Sequence, residues 1–282
     1  MPRALVVRAA GTNCDLELCR AFALGGAEVD LAHVDAIARD PSLVERAHLI
    51  GFPGGFSYGD DIASGRILAM RVREKLYGPL REAMERGAIV IGVCNGFQVM
   101  VQAGLLPGPG VGERWPPDAS PRPRLSLVDN TDARFTDRWV GVEVEPDTCC
   151  AWAKDAFTLP DEVWARDVAM LPVAHGEGRL VTESAATLGE LERRGQVVLR
   201  YRDNYNGSAG RVAGVCDASG RVFALMPHPE RYLDWTRHPY WTRLSPSARA
   251  GQTPGARLFR NAVEAAMGRT DFVRETGTVA VR

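Results

Sequence analysis

The most informative segment of the chain reads Ala88-Ile89-Val90-Ile91-Gly92-Val93-Cys94-Asn95-Gly96-Phe97-Gln98-Val99-Met100. A run of branched apolar residues, typical of a buried parallel strand, stops at a cysteine that has a glycine two positions away on each side. An apolar, helix-compatible run follows. The Gly-x-Cys-x-Gly pattern is the cysteine form of the sharp strand-to-helix turn that presents a nucleophile.

This turn assigns chemistry to Cys94 and to its neighbour Asn95. A parallel strand delivers the sulfur to the carboxyl edge of the sheet, where open α/β folds bind ligands. The dipole of the following helix favours the thiolate over the thiol. The backbone N–H of Asn95 points at a developing oxyanion. The alternative is a structural cysteine at the end of a core strand, because cysteine is often buried.

Composition narrows the class of protein. The chain has 282 residues, a net charge of -1, 24% charged residues and 45% hydrophobic residues. These values are typical of a globular protein with neither a nucleic-acid nor a membrane partner. The amino terminus lacks the layout of a signal peptide, and the six cysteines lack the spacing of zinc or disulfide frameworks. We therefore expect a cytoplasmic protein without a metal site.

Strand and helix patterns alternate around the cysteine turn, which predicts a parallel sheet with right-handed crossovers. We expect an α/β fold with a single open, mostly parallel twisted sheet of flavodoxin-like type and helices on both faces. Strands are predicted at Ala4–Arg8, Val29–Leu31, His48–Phe52, Leu125–Val128, Trp139–Val144, Met170–His175 and Val197–Tyr201, with an antiparallel hairpin of Val212–Cys216 and Val222–Met226. Helices are predicted from Asn13 to Leu24, from Ile62 to Arg86, from Leu188 to Arg194 and from Gly255 to Met267.

The sequence predicts one domain over residues 1–269. Within it, the proline-rich segment 107–123 and the aromatic, basic segment 235–254 are expected to be surface insertions. Residues 270–282 show no clear pattern, and we expect a mobile tail there.

A thiolate nucleophile needs a base, and the base needs a group that orients it. The best candidates are His228 and Glu230, in Pro227-His228-Pro229-Glu230, where two prolines hold the backbone extended and both side chains project to one side. The carboxylate fixes the imidazole tautomer and leaves the other nitrogen for Cys94. The alternative is a rigid turn with a solvated charge pair.

A nucleophile that attacks a carbonyl also needs an oxyanion donor from a second loop. Pro53-Gly54-Gly55-Phe56 follows the strand next to the cysteine strand, and paired glycines let backbone N–H groups approach a ligand closely. A plain β-turn is the alternative here.

Three further motifs accompany the loops that carry Gly54-Gly55, Cys94 and His228. They are Phe56-Ser57-Tyr58-Gly59-Asp60, His175-Gly176-Glu177-Gly178 and Asn206-Gly207-Ser208. Over about Ala4–Met267 the chain resembles the class I (triad) glutamine amidotransferases. Within that family it is most similar to the glutaminase subunits of phosphoribosylformylglycinamidine synthases, which serve purine biosynthesis. Tyr205 stands where a proline is usual, and Asp61–Arg66 departs from the commonest sequence.

The resemblance implies a division of labour between subunits. This chain hydrolyses glutamine and passes ammonia to a separate synthetase subunit, which uses ATP, and a small third subunit often bridges the two. The resemblance therefore implies no cofactor in this chain, with ATP and Mg on the synthetase. By motif match, Cys94 is the nucleophile, His228 the base and acid, and Glu230 the orienting carboxylate. The implied oxyanion and substrate-binding residues are Gly54, Gly55, Phe56, Asn95, Gln98 and His175.

Other functions remain open from the sequence. The chain could serve a different class I amidotransferase. Proteins resembling DJ-1 and intracellular peptidases also carry a cysteine turn, but they take their acid from an earlier strand. A decayed domain kept as a scaffold should have lost Cys94 or His228, and both are present.

Overall fold

The computed structural model describes residues 1–110, 112–158 and 162–268. The strands are β1 (Arg3–Arg8), β2 (Glu28–His33), β3 (Leu49–Phe52), β4 (Ile89–Val93), β5 (Leu125–Val128), β6 (Thr136–Val144), β7 (Met170–His175), β8 (Arg179–Thr182), β9 (Val197–Tyr201), β10 (Val212–Cys216) and β11 (Val222–Leu225). The helices are α1 (Asp15–Gly25), α2 (Val34–Arg39), α3 (Ser42–Glu45), α4 (Arg66–Arg71), α5 (Tyr77–Glu85), α6 (Asn95–Gln102), α7 (Glu162–Val168), α8 (Ala185–Arg193) and α9 (Pro254–Ala266).

Nine strands form one sheet in the order β2-β1-β3-β4-β11-β10-β9-β6-β7. The half from β2 to β11 is parallel, and each pair from β11 to β7 is antiparallel. Strands β5 and β8 form a separate antiparallel pair. The predicted α/β fold is confirmed, with its antiparallel strands in the second half of the chain.

The two central parallel strands are apolar throughout, since every residue of β3 and β4 is buried. The connections from β1 to β2 and from β2 to β3 run in opposite directions across the sheet. Right-handed crossovers therefore send the connecting helices to opposite faces. In agreement, α1 packs against α9, whereas α3 packs against α5. The strand order thus reverses between β1 and β3, and ligands bind beside the carboxyl ends of the strands at such points in open α/β sheets.

The predicted hairpin of β10 and β11 is confirmed, with Val215 opposite Ala224. The Asp217 carboxylate holds its turn by accepting hydrogen bonds from the backbone N–H groups of Arg221 and Val222, at 3.1 and 3.0 Å. β11 inserts between β10 and β4. The residues after β11 therefore emerge beside the residues after β4.

The predicted continuous helix over Ile62–Arg86 is wrong. The backbone has a φ of 74° at Ile62 and 75° at Gly65, values that a right-handed helix cannot contain, so α4 begins only at Arg66. A π-helical turn over Val72–Leu76 then separates α4 from α5. Apolar residues recur at helical spacing through all three helical segments, so periodicity alone does not reveal the breaks between them.

The predicted cap of the first helix is also wrong. Helix α1 begins at Asp15, and its N-cap is Cys14, which makes no capping hydrogen bond through its side chain. The Asn13 side chain instead accepts a hydrogen bond from the Cys14 thiol. Both residues are turned toward the carboxyl edge of the sheet by the loop after β1.

An aromatic cluster fixes the helical layer formed by α1 and α9. The rings of Phe22 and Phe259 meet edge to face at 5.4 Å, and Trp152 packs against Phe259 at 5.9 Å. All three side chains are fully buried. Burial of each such ring contributes about 1.5–3 kcal/mol relative to exposure.

The two segments predicted to be surface insertions contain little regular structure. Within 107–123, the described residues form neither helix nor strand, and within 235–254 a 3₁₀ turn spans Trp235–Arg237. The expected tail, 270–282, lies outside the described residues, and the single-domain boundary at 269 stays a prediction. Across the residues with assigned structure, we find no helix with both the length and the apolarity that a membrane span requires.

Candidate active site

Four neighbouring strands, β1, β3, β4 and β11, end at the same edge of the sheet. Their following loops carry Cys14, the pair Gly54-Gly55, Cys94 and His228, respectively. Strand order, rather than proximity along the chain, therefore assembles the candidate site. The site lies beside the point where the strand order reverses, as Gly-x-Cys-x-Gly predicts.

The turn around Cys94 has the strained backbone of a nucleophile-presenting turn. Its φ and ψ are 52° and -107°, and α6 begins at the next residue. A Cβ at Gly96 would lie 1.9 Å from the carbonyl oxygen of Phe52, and a Cβ at Gly92 would lie 2.8 Å from that of Gly96. Both glycines are therefore required by close packing of backbone, as the sequence predicts.

Cys94 is nearly buried, and its thiol donates a hydrogen bond to the carbonyl oxygen of Ala174 at 3.6 Å. The N–H of Asn95 lies in the first turn of α6, where backbone N–H groups have no partner within the helix. The N–H of Asn95 therefore remains a candidate oxyanion donor.

His228 and Glu230 form a buried pair. Nδ1 of His228 lies 2.6 Å from Oε1 of Glu230, and the two side chains are 2% and 1% exposed. The predicted extended backbone is wrong, because a 3₁₀ turn over Pro229–Arg231 brings the carboxylate back to the ring. The backbone N–H of His228 donates to the carbonyl of Pro172 at 2.8 Å. The predicted orientation of the imidazole by Glu230 therefore has the required geometry.

The charge state of this pair follows from its surroundings. Burial alone lowers the pKa of the His228 imidazolium, but the Glu230 carboxylate and the sulfurs of Cys94 and Cys14 outweigh burial and hold the pKa well above its ordinary value. Among the described residues, Nε2 of His228 has no hydrogen-bond partner, although it is buried. A protonated ring beside Cys94 can pair with a thiolate and can give its proton to a leaving group.

Gly54 is the common neighbour of the nucleophile and the base. A Cβ at this position would lie 2.7 Å from Cε1 of His228 and 3.4 Å from Cβ of Cys94. Only a residue without a side chain fits between them. Gly54 thus lets the two reacting groups approach each other.

Gly55 has a φ of 132°, and a Cβ there would lie 2.6 Å from the backbone nitrogen of Asn13. It forms an isolated antiparallel bridge with Thr12, in which the N–H groups of Phe56 and Cys14 donate to the carbonyls of Gly11 and Gly54. The N–H of Gly55 is therefore not consumed by these bonds and remains a candidate oxyanion donor. The N–H of Phe56 is already used in one of these hydrogen bonds. Its half-exposed ring stacks on the ring of Phe135, with the two ring centroids 6.4 Å apart.

The side chains of Asn95 and Gln98 belong to a polar network under the site. Nδ2 of Asn95 donates to Oε1 of Gln98 at 2.9 Å and to Asp60 at 3.0 Å, and Nε2 of Gln98 donates to the carbonyl of Glu177 at 2.6 Å. The loop that carries Asp60 is fixed in turn, because the Ser64 hydroxyl donates to the Glu177 carboxylate at 2.8 Å. This network holds the floor of the site in one arrangement.

His175 lies across the site from His228. It is 3% exposed, and its Nε2 lies 2.7 Å from the hydroxyl of Tyr205. Burial lowers the pKa of His175 to about 4, with a smaller contribution from His228. His175 is therefore neutral near pH 7.

A cavity of about 230 Å³ opens onto the sulfur of Cys94. Its acidic lining residues are Asp60, Asp129 and Glu177, and no lysine or arginine of the described residues lines it. The remaining lining residues are Gly55, Phe56, Ser64, Cys94, Gln98, Ala133, Phe135, Ala174, His175 and Gly176. A small ligand with an ammonium group suits these walls. A larger open groove of about 1100 Å³, which includes Lys154 and Arg202, contains none of the predicted site residues.

One group of side chains in the described residues has the spacing of metal ligands. Ligand atoms of Cys14, His228 and Glu230 lie within 4.8 Å of one another. The guanidinium of Arg231 lies 3.0 Å from the Cys14 sulfur, and the hydrogen bond between His228 and Glu230 already uses one atom of each. A positive charge in contact with a ligand atom opposes a cation, so this group does not fit a metal site.

The structure brings together every residue predicted for the site. Sequence reasoning missed two neighbours, Cys14 and Tyr205, which it treated as a helix residue and as a departure from the usual motif. The signal for Cys14 was its place just after β1, because loops after adjacent parallel strands meet at one edge.

Comparison with known proteins gives a consistent picture. Residues 1–264 match a CobB/CobQ-like glutamine amidotransferase domain. The phosphoribosylformylglycinamidine synthase subunit PurQ of Dehalococcoides mccartyi is 35% identical over 268 residues, which cover 93% of this chain and 96% of that protein. The PurQ subunit of Rubrobacter xylanophilus is 41% identical over 226 residues, covering 79% and 86%. A chain of the PurLQS structure from Thermotoga maritima superposes with a TM-score of 0.67 at 32% identity, covering 94% of this chain and 98% of that one.

Proposed function

The chain belongs to the family of CobB/CobQ-like glutamine amidotransferase domains, and from this premise we propose that it is the glutaminase subunit of a phosphoribosylformylglycinamidine synthase. The observation that carries the proposal is the buried pair of His228 and Glu230 beside the Cys94 turn and its cavity. This arrangement occurs in a chain that spans nearly the full length of its PurQ relatives.

The first half of the reaction releases ammonia. The thiolate of Cys94 attacks the side-chain amide carbon of glutamine, and the N–H groups of Gly55 and Asn95 stabilise the oxyanion. Protonated His228 donates its Nε2 proton to the leaving nitrogen. Ammonia departs, and a thioester joins the glutamyl group to Cys94.

The second half regenerates the enzyme. Neutral His228 takes a proton from water as the oxygen attacks the thioester carbon. The carbon–sulfur bond breaks, glutamate leaves, and the thiolate and imidazolium return. Glu230 keeps Nδ1 protonated in both halves, so that Nε2 performs each proton transfer.

The cavity supports glutamine as the substrate. Its volume suits one small ligand, and the carboxylates of Asp60, Asp129 and Glu177 favour the α-ammonium group. Gln98 acts by holding Asn95 and the carbonyl of Glu177, and His175 forms a neutral wall.

The proposal places the remaining chemistry on partner subunits in the cytoplasm. A synthetase subunit accepts the ammonia and uses ATP with Mg, and a small subunit bridges the two chains. This chain itself uses no cofactor. The PurLQS neighbour, whose chain covers most of this one, supports assembly of this kind.

The test is glutamate release and amidine formation by the complex assembled with the synthetase subunit. Cys94→Ala should abolish glutamine-dependent product formation, because no thioester can form. Cys19→Ala, at a half-buried cysteine of α1, is the matched control and should retain activity. A glutamine-like chloroketone should label Cys94 in preference to the other five cysteines.

Two results would overturn the proposal. One is near-normal glutamate release by a folded Cys94→Ala complex. The other is a peptide map in which the chloroketone lies mainly on a different cysteine.

A further inference from the structure

Cys14 is a second buried thiol at the centre of the site, and the reaction described above does not use it. It stands where the loop after β1 enters α1 and is 2% exposed. Its position differs from that of Cys19, which lies further along α1 and makes no contact of this kind with the site in the described residues.

The Cys14 thiol connects the base to the loop after β1. Its sulfur accepts a hydrogen bond from Nη2 of Arg231 at 3.0 Å and donates one to Oδ1 of Asn13 at 3.2 Å. Arg231 directly follows Glu230 and is also paired with Glu17 of α1, at 3.4 Å. The turn that carries the base is thereby fastened to the start of α1.

The same residue holds the oxyanion turn. The backbone N–H of Cys14 donates to the carbonyl of Gly54 at 3.3 Å, and a Cβ at Gly54 would lie 3.3 Å from the Cys14 sulfur. Asn13 continues the contact, because its Oδ1 would lie 3.1 Å from a Cβ at Gly55. The oxyanion turn therefore rests on Asn13 and Cys14.

We propose that Cys14 is a positioning residue whose thiol sets the spacing between the oxyanion turn at Gly54-Gly55 and the base His228. This inference rests on the proposed glutaminase function. The thiol suits this role because its sulfur accepts a hydrogen bond from Arg231 and, at the same time, donates one to Asn13. Burial raises the pKa of Cys14, which keeps that hydrogen in place.

The inference predicts an effect on the transition state rather than on binding. Cys14→Ala removes both hydrogen bonds and should lower kcat by about tenfold to a hundredfold, the scale of small misplacements in an active site, with KM changed by less than about threefold. Cys14→Ser keeps a donor and an acceptor of similar size and should restore most of kcat. Cys19→Ala is the control and should match the wild type.

The pH profile separates positioning from simple packing. The Cys14 sulfur is one of the groups that raise the pKa of His228, so its removal should move the alkaline limb of kcat/KM to lower pH. Substitution of a residue that only fills space would change the melting temperature and leave the alkaline limb of kcat/KM in place.

The measurements are glutamine-dependent kcat, KM and pH profile of complexes assembled with the synthetase subunit, together with melting temperatures. If the wild-type complex releases no glutamate from glutamine, the proposed function fails. If the wild type is active and folded Cys14→Ala keeps its kcat and its alkaline limb, only the positioning role is overturned. A loss of activity that merely follows the loss of folded protein, with an unchanged limb, also overturns it.

Discussion

Two histidines, His228 and His175, face the same candidate site and differ in the hydrogen-bond partner of the ring. His228 and His175 are 1% and 3% exposed, and each makes one short hydrogen bond through its ring, at 2.6 and 2.7 Å. The partner is the carboxylate of Glu230 in one case and the hydroxyl of Tyr205 in the other. The pKa of His228 is raised well above its ordinary value, whereas that of His175 is lowered to about 4.

Burial therefore does not decide the charge of an imidazole in this site, because both rings are equally buried. An adjacent carboxylate stabilises the imidazolium, and a neutral hydroxyl does not. The ring that holds a proton near pH 7 can serve as the acid for a leaving group. The ring that stays neutral is left as a hydrogen-bonding wall of the cavity.

The largest expected effect separates the two histidines directly. His228→Ala should lower glutamine-dependent product formation by about a thousandfold or more, because the base and acid are lost. His175→Ala should lower it much less, since no proton passes through that ring. Steady-state rates of the two assembled complexes check this expectation.

Ammonium is the control for both variants. High ammonium at mildly alkaline pH bypasses the glutaminase, so both complexes should form product at the wild-type rate. Loss of the ammonium reaction in a normally assembled His228→Ala complex would contradict the division of labour. An equal loss in both variants with glutamine would contradict the comparison of the two rings.

A smaller effect is expected from Glu230→Gln. The imidazole remains and can still be oriented through the amide oxygen, so the glutamine-dependent rate should fall by about ten- to a hundredfold, less than in His228→Ala. The alkaline limb of the rate profile should also move to lower pH, because the charge that raises the pKa of His228 is gone. A limb that stays in place would show that Glu230 does not set the charge of the ring.

The same substitution predicts a pH-dependent change in stability. The folded pKa of His228 is raised, so its pairing stabilises the fold fully below the unfolded pKa of about 6.5 and less as the pH rises through the folded value. The difference in melting temperature between wild type and Glu230→Gln should be largest near about pH 6 and should narrow on the alkaline side. Melting curves of both proteins as a function of pH measure this difference. A difference that widens as the pH rises would contradict the raised pKa of His228.

The smallest effect is expected from Tyr205→Phe. Removing the hydroxyl leaves Nε2 of His175 without its partner and should change kcat by about fivefold or less, because a single neutral hydrogen bond is worth about 1 kcal/mol. His175 should remain neutral, so the pH profile should not move. A shifted profile would show that Tyr205 takes part in proton transfer.

The candidate triad was accessible from sequence because its signals are local. Gly-x-Cys-x-Gly and Pro-His-Pro-Glu each mark a turn within a few residues. Both turns lie at one edge of the sheet because β11 pairs parallel to β4. Local patterns alone do not determine that β11 lies beside β4.

Other features depend on contacts between distant residues. Ile62 adopts a positive φ that its side chain disfavours, so neither its identity nor the apolar spacing around it marks the break before α4. Cys14 was missed because its contacts with Gly54 and Arg231 come from loops after other strands. The pKa of each histidine likewise depends on a partner whose proximity is set by folding.

During synthesis on the ribosome, β4 emerges long before its neighbour β11, since the first ends at Val93 and the second begins at Val222. Until then, a wholly apolar strand has an unpaired edge, which is a template for aggregation. The nascent chain also carries its nucleophile without its base. A truncated or stalled chain would therefore consume no glutamine but would need a chaperone, so that activity itself reports that the carboxyl-terminal half has been made and folded.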